Sequence, residues 1–77
     1  MILEDELKTV LEAGIPGADV AVFDTNGMKD HYRIWVSSKQ FEGKNSFQRH
    51  QLINKVLKPI YDDGRLHAAE ITTDVPE

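Results

Sequence analysis

The 77-residue chain contains no cysteine, and this absence removes several classes of function. Without a thiol there is no disulfide framework, no cysteine nucleophile and no cysteine-based zinc finger. The sequence also has no apolar run near the roughly 20 residues that a membrane span requires. Its acidic N-terminus, Met1–Glu6, lacks the basic and apolar blocks of a signal peptide. We therefore expect a cytoplasmic protein that makes no membrane contact.

Catalytic signatures are missing as well. The sequence has no phosphate-binding loop, no His-Glu-x-x-His motif and no supported nucleophile–histidine–acid arrangement, so we expect a protein that is not an enzyme. The net charge of −4 conceals a segregation, because residues 29–58 carry +5 whereas residues 1–28 and 59–77 carry −5 and −4. A basic middle segment suits either an anionic partner or an ordinary solvated surface.

Hydrophobic spacing predicts one small α+β domain. Apolar residues recur at helical spacing over about residues 3–13, which indicates a first helix. Alternating residues predict strands over Asp19–Asp24 and Tyr32–Ser38, and an Asn-Gly turn signal between them predicts a hairpin. The last strand is predicted over residues 66–74. A length of 77 residues allows one core of modest size.

A second helix is predicted between the hairpin and the last strand. It should begin at a cap formed by Asn45 or Ser46, and if Asn45 is the cap, Gln48 is placed as the reciprocal partner of a capping box. Its apolar stripe comprises Phe47, Leu52, Ile53, Val56, Leu57 and Ile60. Pro59 is expected to kink the helix or to restart it as a short third helix, giving the order αββααβ. A helical crossover between strands predicts that the last strand pairs parallel to the second, in a three-stranded mixed sheet with its helices on one face.

Three stretches of the sequence carry a resemblance to a known family. Phe41-Glu42-Gly43, three further residues and then Phe47-Gln48-Arg49-His50 resemble the BolA signature, in which Phe-x-Gly precedes an apolar residue and an Arg-His pair. Tyr32–Ser38 resembles the strand before that signature, and Leu66–Ile71, with its His-Ala pair, resembles the family's last strand. The resemblance covers residues 1–77 and implies a single BolA-like domain with a class II KH-like layout.

The resemblance implies a role in iron–sulfur cluster trafficking or iron-status regulation. In BolA-like proteins the histidine of the last His-Ala pair, here His67, ligates a 2Fe–2S cluster shared with a monothiol glutaredoxin of the Cys-Gly-Phe-Ser type and with glutathione. The second family ligand comes from the hairpin loop as Cys or His, and His31 is the usable residue there in this chain. The implied cluster is therefore not bound by this chain alone. A neutral imidazole nitrogen in place of a thiolate raises the potential of such a cluster.

A contact surface for the glutaredoxin is expected around the signature, with the two candidate ligands nearby. Its expected residues are Phe41, Gly43, Lys44, Arg49 and His50. Arg49 and His50 can also be interpreted as loop anchors. The alternative function is a DNA-binding transcriptional regulator, in which the last two helices form a helix-turn-helix and the basic middle segment contacts phosphates. We expect a monomer in isolation, and the sequence leaves a weak homodimer open.

Overall fold

The computed structural model describes residues 1–76, in which a three-stranded sheet is covered on one face by two helices. The elements in chain order are α1 (Glu4–Gly14), β1 (Asp19–Asp24), β2 (His31–Ser37), a 3₁₀ helix (Lys39–Phe41), α2 (Ser46–Asp62) and β3 (Ala68–Asp74). Neither α1 nor α2 combines the length and the apolar character that crossing a membrane would require.

The central strand of the sheet is β2, which pairs antiparallel with β1 and parallel with β3. The register places His31 opposite Ala68 at one end of the sheet and Ser37 opposite Asp74 at the other. Because α2 carries the chain back across the sheet between β2 and β3, the two strands start at the same end. The predicted parallel pairing is confirmed.

The core lies between the sheet and the two helices. Strand alternation turns Tyr32, Ile34 and Val36 of β2 toward the helices, where all three are buried, and leaves Trp35 half-buried on the opposite face. The helices contribute the buried residues Leu7 and Leu11 from α1 and Ile53, Leu57 and Ile60 from α2. Both helices therefore lie on one face of the sheet, as the sequence predicted.

The N-terminal helix α1 agrees with the predicted range to within one residue. It has no side-chain cap, but Glu4, Asp5 and Glu6 occupy its first turn, where negative charge is stabilised by the helix dipole. At its other end Gly14 leaves room for α2, since a Cβ there would lie 2.6 Å from Cγ1 of Val56. The small residue lets the two helices approach closely.

The second helix begins as predicted but does not break where it was expected to. Asn45 and Gln48 form the reciprocal capping box, with the Asn45 side chain accepting from the Gln48 amide at 2.9 Å. Pro59 lies inside α2, which is a single helix of 17 residues. A proline in a helix interior costs about 3 kcal/mol, but Leu57 and Ile60 on either side of it are buried, and their packing holds the turn together.

The short helical segment is therefore found before α2 rather than after it, at Lys39–Phe41. Phe47 also departs from the predicted apolar stripe, because it is 70% exposed. Six residues separate Phe47 from Ile53, a rotation of about 240°, so the two side chains lie on different sides of the helix. The buried aromatic residue at this end of the core is Phe41.

The two phenylalanines of the signature provide a matched test of this core. We expect Phe41→Ala to lower the free energy of unfolding by about 3–5 kcal/mol, because it empties a buried site. Phe47→Ala should change it by no more than about 0.5 kcal/mol, because that ring is exposed. Urea denaturation of both variants measures the difference. Equal losses from the two substitutions would contradict this assignment of the core.

Candidate functional site

The parallel pairing of β2 and β3 brings the two predicted ligands together. His31 begins β2, and His67 immediately precedes β3. Their ring centroids are 6.0 Å apart and the ring planes are nearly perpendicular, at 87°. The main-chain carbonyl of Asp30 accepts from the amide of His67 at 2.8 Å and from the amide of Ala68 at 3.3 Å. Backbone hydrogen bonds therefore fix the position at which the two histidines meet.

Between the two imidazoles lies the carboxylate of Asp30, a residue that the sequence did not predict for the site. Its Oδ1 is 2.8 Å from Nδ1 of His31, and its Oδ2 is 3.2 Å from Nδ1 of His67. The Asp30 side chain is 17% exposed, whereas those of His31 and His67 are 42% and 60% exposed. We call these three residues the histidine edge.

The pKa of Asp30 is lowered from its usual value of 3.8. The largest cause is the hydrogen bond with His31, which outweighs the opposing effect of burial; the hydrogen bond from Asn26 and the charges of the two histidines when protonated act in the same direction. The carboxylate therefore carries its negative charge at neutral pH and attracts positive charge to the histidine edge.

The hairpin loop that presents Asp30 and His31 is held by Asp24, the last residue of β1. One carboxylate oxygen of Asp24 accepts from the amides of Asn26 at 3.3 Å and Gly27 at 2.9 Å, and the other accepts from the amide of Lys29 at 3.2 Å. Lys29 has a φ of 60°, a conformation that non-glycine residues seldom adopt. The Asp24 contacts hold this turn in a single shape.

The N-terminal segment ties the same loop to the core. The amide of Ile2 donates to the carbonyl of Lys29 at 2.9 Å, and the hydroxyl of Tyr32 donates to the carbonyl of Ile2 at 2.6 Å. Ile2 and Tyr32 are both buried, and this burial raises the pKa of the Tyr32 hydroxyl. The hairpin loop is therefore held by hydrogen bonds from Asp24 at the end of β1 and from Ile2 in the N-terminal segment.

The donor set of the histidine edge suits a transition metal. One ligating atom from each of Asp30, His31 and His67 comes within 4.8 Å of the other two. Imidazole nitrogens and carboxylate oxygens are ligands for iron and zinc, and the exposure of both rings leaves them accessible to a group carried by another protein. Because the chain has no cysteine, any thiolate ligand must come from elsewhere.

The signature residues occupy a separate region, and two of them have structural roles. Phe41 is fully buried at the end of the 3₁₀ helix, so its expected place on a contact surface is corrected: it is a core residue. Nε of Arg49 donates to the carbonyls of Lys44 at 2.9 Å and Phe41 at 3.2 Å. Arg49 therefore anchors the signature loop, defined here as Glu42–Asn45. Gly43 and Lys44 are exposed, and His50 is half-buried.

The expected proximity between the signature loop and the two histidines is not found. The loop follows the end of β2 and the histidine edge lies at its start, so the seven residues of the strand separate them by roughly 20 Å. Gly43 and Lys44 nevertheless line an open groove along α2 together with Lys55 and Tyr61. Since α2 runs back toward the start of β3, its exposed side connects the two regions.

The DNA-binding alternative loses the helix pair on which it depends. Within residues 1–76 the chain after Pro59 forms the end of α2, a turn and β3, with no separate short helix. At that end Nζ of Lys58 lies 2.7 Å from a carboxylate oxygen of Asp62, which offsets its charge. The helix-turn-helix predicted from the sequence is therefore absent from the described part of the chain.

Arg49 should behave as a loop anchor when it is replaced. We expect Arg49→Met to lower the free energy of unfolding by about 1–2 kcal/mol, because two carbonyls lose a charged donor at a partly exposed site. Lys44→Met, in the same loop, should change it by no more than about 0.5 kcal/mol. Urea denaturation tests the pair, and a stability loss at Lys44 that matches the loss at Arg49 would rule out the anchoring role.

The lowered pKa of Asp30 predicts a pH-dependent contribution to stability. A carboxyl with a depressed folded-state pKa stabilises the fold above its unfolded value of 3.8, and this stabilisation is lost as the pH falls through the folded-state pKa. We expect Asp30→Asn to be less stable than the unmodified chain at neutral pH, with the difference shrinking below about pH 4. Denaturation midpoints measured across this range test it, with Asp19→Asn as the control for loss of one exposed charge. A difference that is independent of pH would contradict the prediction.

Comparison with known proteins identifies the family and agrees with the fold. The family model of BolA-like proteins matches residues 2–77. BolA-like protein 2 of Mus musculus is 36% identical over 75 residues, which cover 95% of this chain and 85% of the mouse protein. The solved structure of the BolA domain of SufE1 from Arabidopsis thaliana matches with a TM-score of 0.82 at 26% identity, covering 95% of this chain and 91% of that one. Yeast Fra2 matches with a TM-score of 0.73 at 26% identity, over 94% of this chain and 80% of Fra2. The chain belongs to the BolA-like protein family.

Proposed function

We propose that this chain is a non-enzymatic adaptor that binds a monothiol glutaredoxin of the Cys-Gly-Phe-Ser type. In the complex the two proteins would share a glutathione-ligated 2Fe–2S cluster, for use in cluster trafficking or iron-status regulation. The observation that carries the proposal is the meeting of His31 and His67 at one end of the sheet, with their rings 6.0 Å apart and exposed. Membership in the BolA-like family supports it, because the sequence resemblance implies the same ligand positions.

The donor chemistry divides the work between the two proteins. This chain has nitrogen and oxygen donors at the histidine edge and no sulfur donor of the thiolate kind, so the thiolates would come from the glutaredoxin and from glutathione. Imidazole in place of thiolate raises the reduction potential of a 2Fe–2S cluster. His67 and His31 would bind through neutral ring nitrogens, which makes their binding sensitive to protonation.

The residue after His67 fits this role. Ala68 lies directly opposite His31 in the parallel register, so the two side chains are neighbours across the strands. The side chain of Ala68 is a single methyl group, and the His31 side chain beside it is 42% exposed. A bulky residue at position 68 would cover the imidazole, and this gives the His-Ala pair a physical meaning.

The contribution of Gly43, Lys44, Arg49 and His50 to partner binding stays a prediction. The open groove along α2 supports it, because Gly43 and Lys44 line this groove together with Lys55 and Tyr61. Lysines on such a surface favour an anionic partner and act mainly on the rate of association. Arg49 would act through the loop that it anchors.

The ligand role of His67 can be tested with matched histidine variants. The unmodified chain should acquire a mixed-ligand cluster spectrum when it is mixed with cluster-loaded monothiol glutaredoxin. We expect His67→Ala to abolish this spectrum or to shorten the lifetime of the cluster, because the donor nitrogen is gone. His31→Ala should act in the same direction. Thr9→Ala is the control, since Thr9 is exposed on α1, outside both the histidine edge and the predicted partner-binding surface. Visible absorption and circular dichroism report the cluster, and far-ultraviolet circular dichroism reports folding. Unchanged spectra for a folded His67→Ala chain would refute the ligand assignment.

A further inference from the structure

We infer that Asp30 is a positioning residue that fixes the ring proton of His31 and His67 on Nδ1 and leaves Nε2 of each ring as the free electron-pair donor. The use of those nitrogens as iron ligands rests on the proposed function. The proton positions themselves are a property of the free chain, and can be measured without any partner or metal.

The carboxylate of Asp30 determines which ring nitrogen of His31 and His67 can act as a hydrogen-bond donor. An ionised carboxylate accepts hydrogen bonds and cannot donate them. Oδ1 and Oδ2 of Asp30 face Nδ1 of His31 at 2.8 Å and Nδ1 of His67 at 3.2 Å, one oxygen for each ring. A ring nitrogen without its proton would point a lone pair at a negatively charged oxygen. The carboxylate therefore favours the proton on Nδ1 of each ring, and Nε2 of a neutral ring in that form is left without one.

The side-chain amide of Asn26 approaches both the Asp30 carboxylate and the His31 ring. Its Nδ2 lies 3.3 Å from Oδ1 of Asp30 and 3.1 Å from Nδ1 of His31, so it could donate to either atom. Its orientation is fixed, because its Oδ1 accepts from the amide of Met28 at 2.9 Å. The negative charge of Asp30 and the 2.8 Å distance, shorter than the 3.1 Å from Asn26 to His31, favour a hydrogen bond from Nδ1 of His31 to Asp30. The Asn26 amide therefore donates to the carboxylate as well.

The two rings are not held equally. The His31 contact is a hydrogen bond of 2.8 Å, whereas the His67 contact is longer, at 3.2 Å, and belongs to a side chain that is 60% exposed. We therefore expect the Nδ1–H form to dominate more strongly at His31 than at His67. The same asymmetry predicts that His67 is the ring that can reorient more easily toward a group held by a partner.

Side-chain variants of Asp30 should leave the frame intact. The bonds that join the hairpin loop to the start of β3 run from the main-chain amides of His67 and Ala68 to the main-chain carbonyl of Asp30. The loop turn itself is held by the carboxylate of Asp24. Replacing the Asp30 side chain thus removes the contacts to the two rings while the backbone connections remain.

The experiment is long-range proton–nitrogen correlation spectroscopy of the ¹⁵N-labelled free chain, at a pH where the imidazoles are neutral. We expect His31 and His67 to show a protonated Nδ1 and an unprotonated Nε2. In Asp30→Ala the proton should redistribute toward Nε2 on both rings, and Asp30→Asn, which offers one acceptor oxygen, should give an intermediate result. His50 is the internal control and should not change in any variant. Protonated Nε2 atoms in the unmodified chain, or proton positions unaffected by Asp30→Ala, would overturn the inference.

A second measurement separates this inference from the proposed function. Loss of the outer partner of a metal-binding histidine typically weakens metal affinity 10- to 100-fold, so we expect about that loss when Asp30→Ala is titrated with cluster-loaded monothiol glutaredoxin. Unchanged affinity in a variant whose ring protons have moved would overturn the positioning role. If the unmodified chain acquires no cluster at all, the proposed function fails, and the proton positions measured in the free chain still stand.

Discussion

Parallel pairing of β2 with β3 places the starts of two strands that are distant in sequence side by side, and the candidate site exists because of it. The carbonyl of Asp30 closes this pairing at its first residues by accepting from the amides of His67 and Ala68. The crossover that makes the pairing parallel is α2. Its buried residues Leu57 and Ile60 pack it on the sheet, and the helix continues past Pro59. The small core therefore has a functional consequence: it sets the register that brings His67 to His31.

The absence of cysteine limits what this chain would contribute to the proposed shared cluster. Its site combines two imidazoles with a carboxylate that holds one firmly and the other loosely, on a loop braced by Asp24 and Ile2. Exposed donors at a loop held by hydrogen bonds suit a ligand set that another protein completes. The shared cluster would then depend on the complex for its sulfur ligands and on this chain for its nitrogen ligands.

Much of the fold follows from local rules, and for that reason the sequence predicted it. Strand alternation, the Asn45 capping box and the crossover rule each depend on residues close in sequence or on general chirality. The exceptions depend on tertiary packing. Pro59 stays helical because its neighbours are buried, and Phe41 is buried while Phe47 is exposed because the 3₁₀ helix turns one of them inward.

The site shows the same division. His31 and His67 were predicted from the family resemblance, but Asp30 was missed, because only the register shows that the residue before His31 faces both rings. The most direct test of the account is pulsed electron paramagnetic resonance of the reduced shared cluster, with ¹⁵N-histidine in this chain and an unlabelled glutaredoxin. The account predicts magnetic coupling of the cluster to two ¹⁵N ring nitrogens. The absence of any ¹⁵N coupling would contradict it, and coupling to a single ring nitrogen would leave one of the two histidines outside the ligand set.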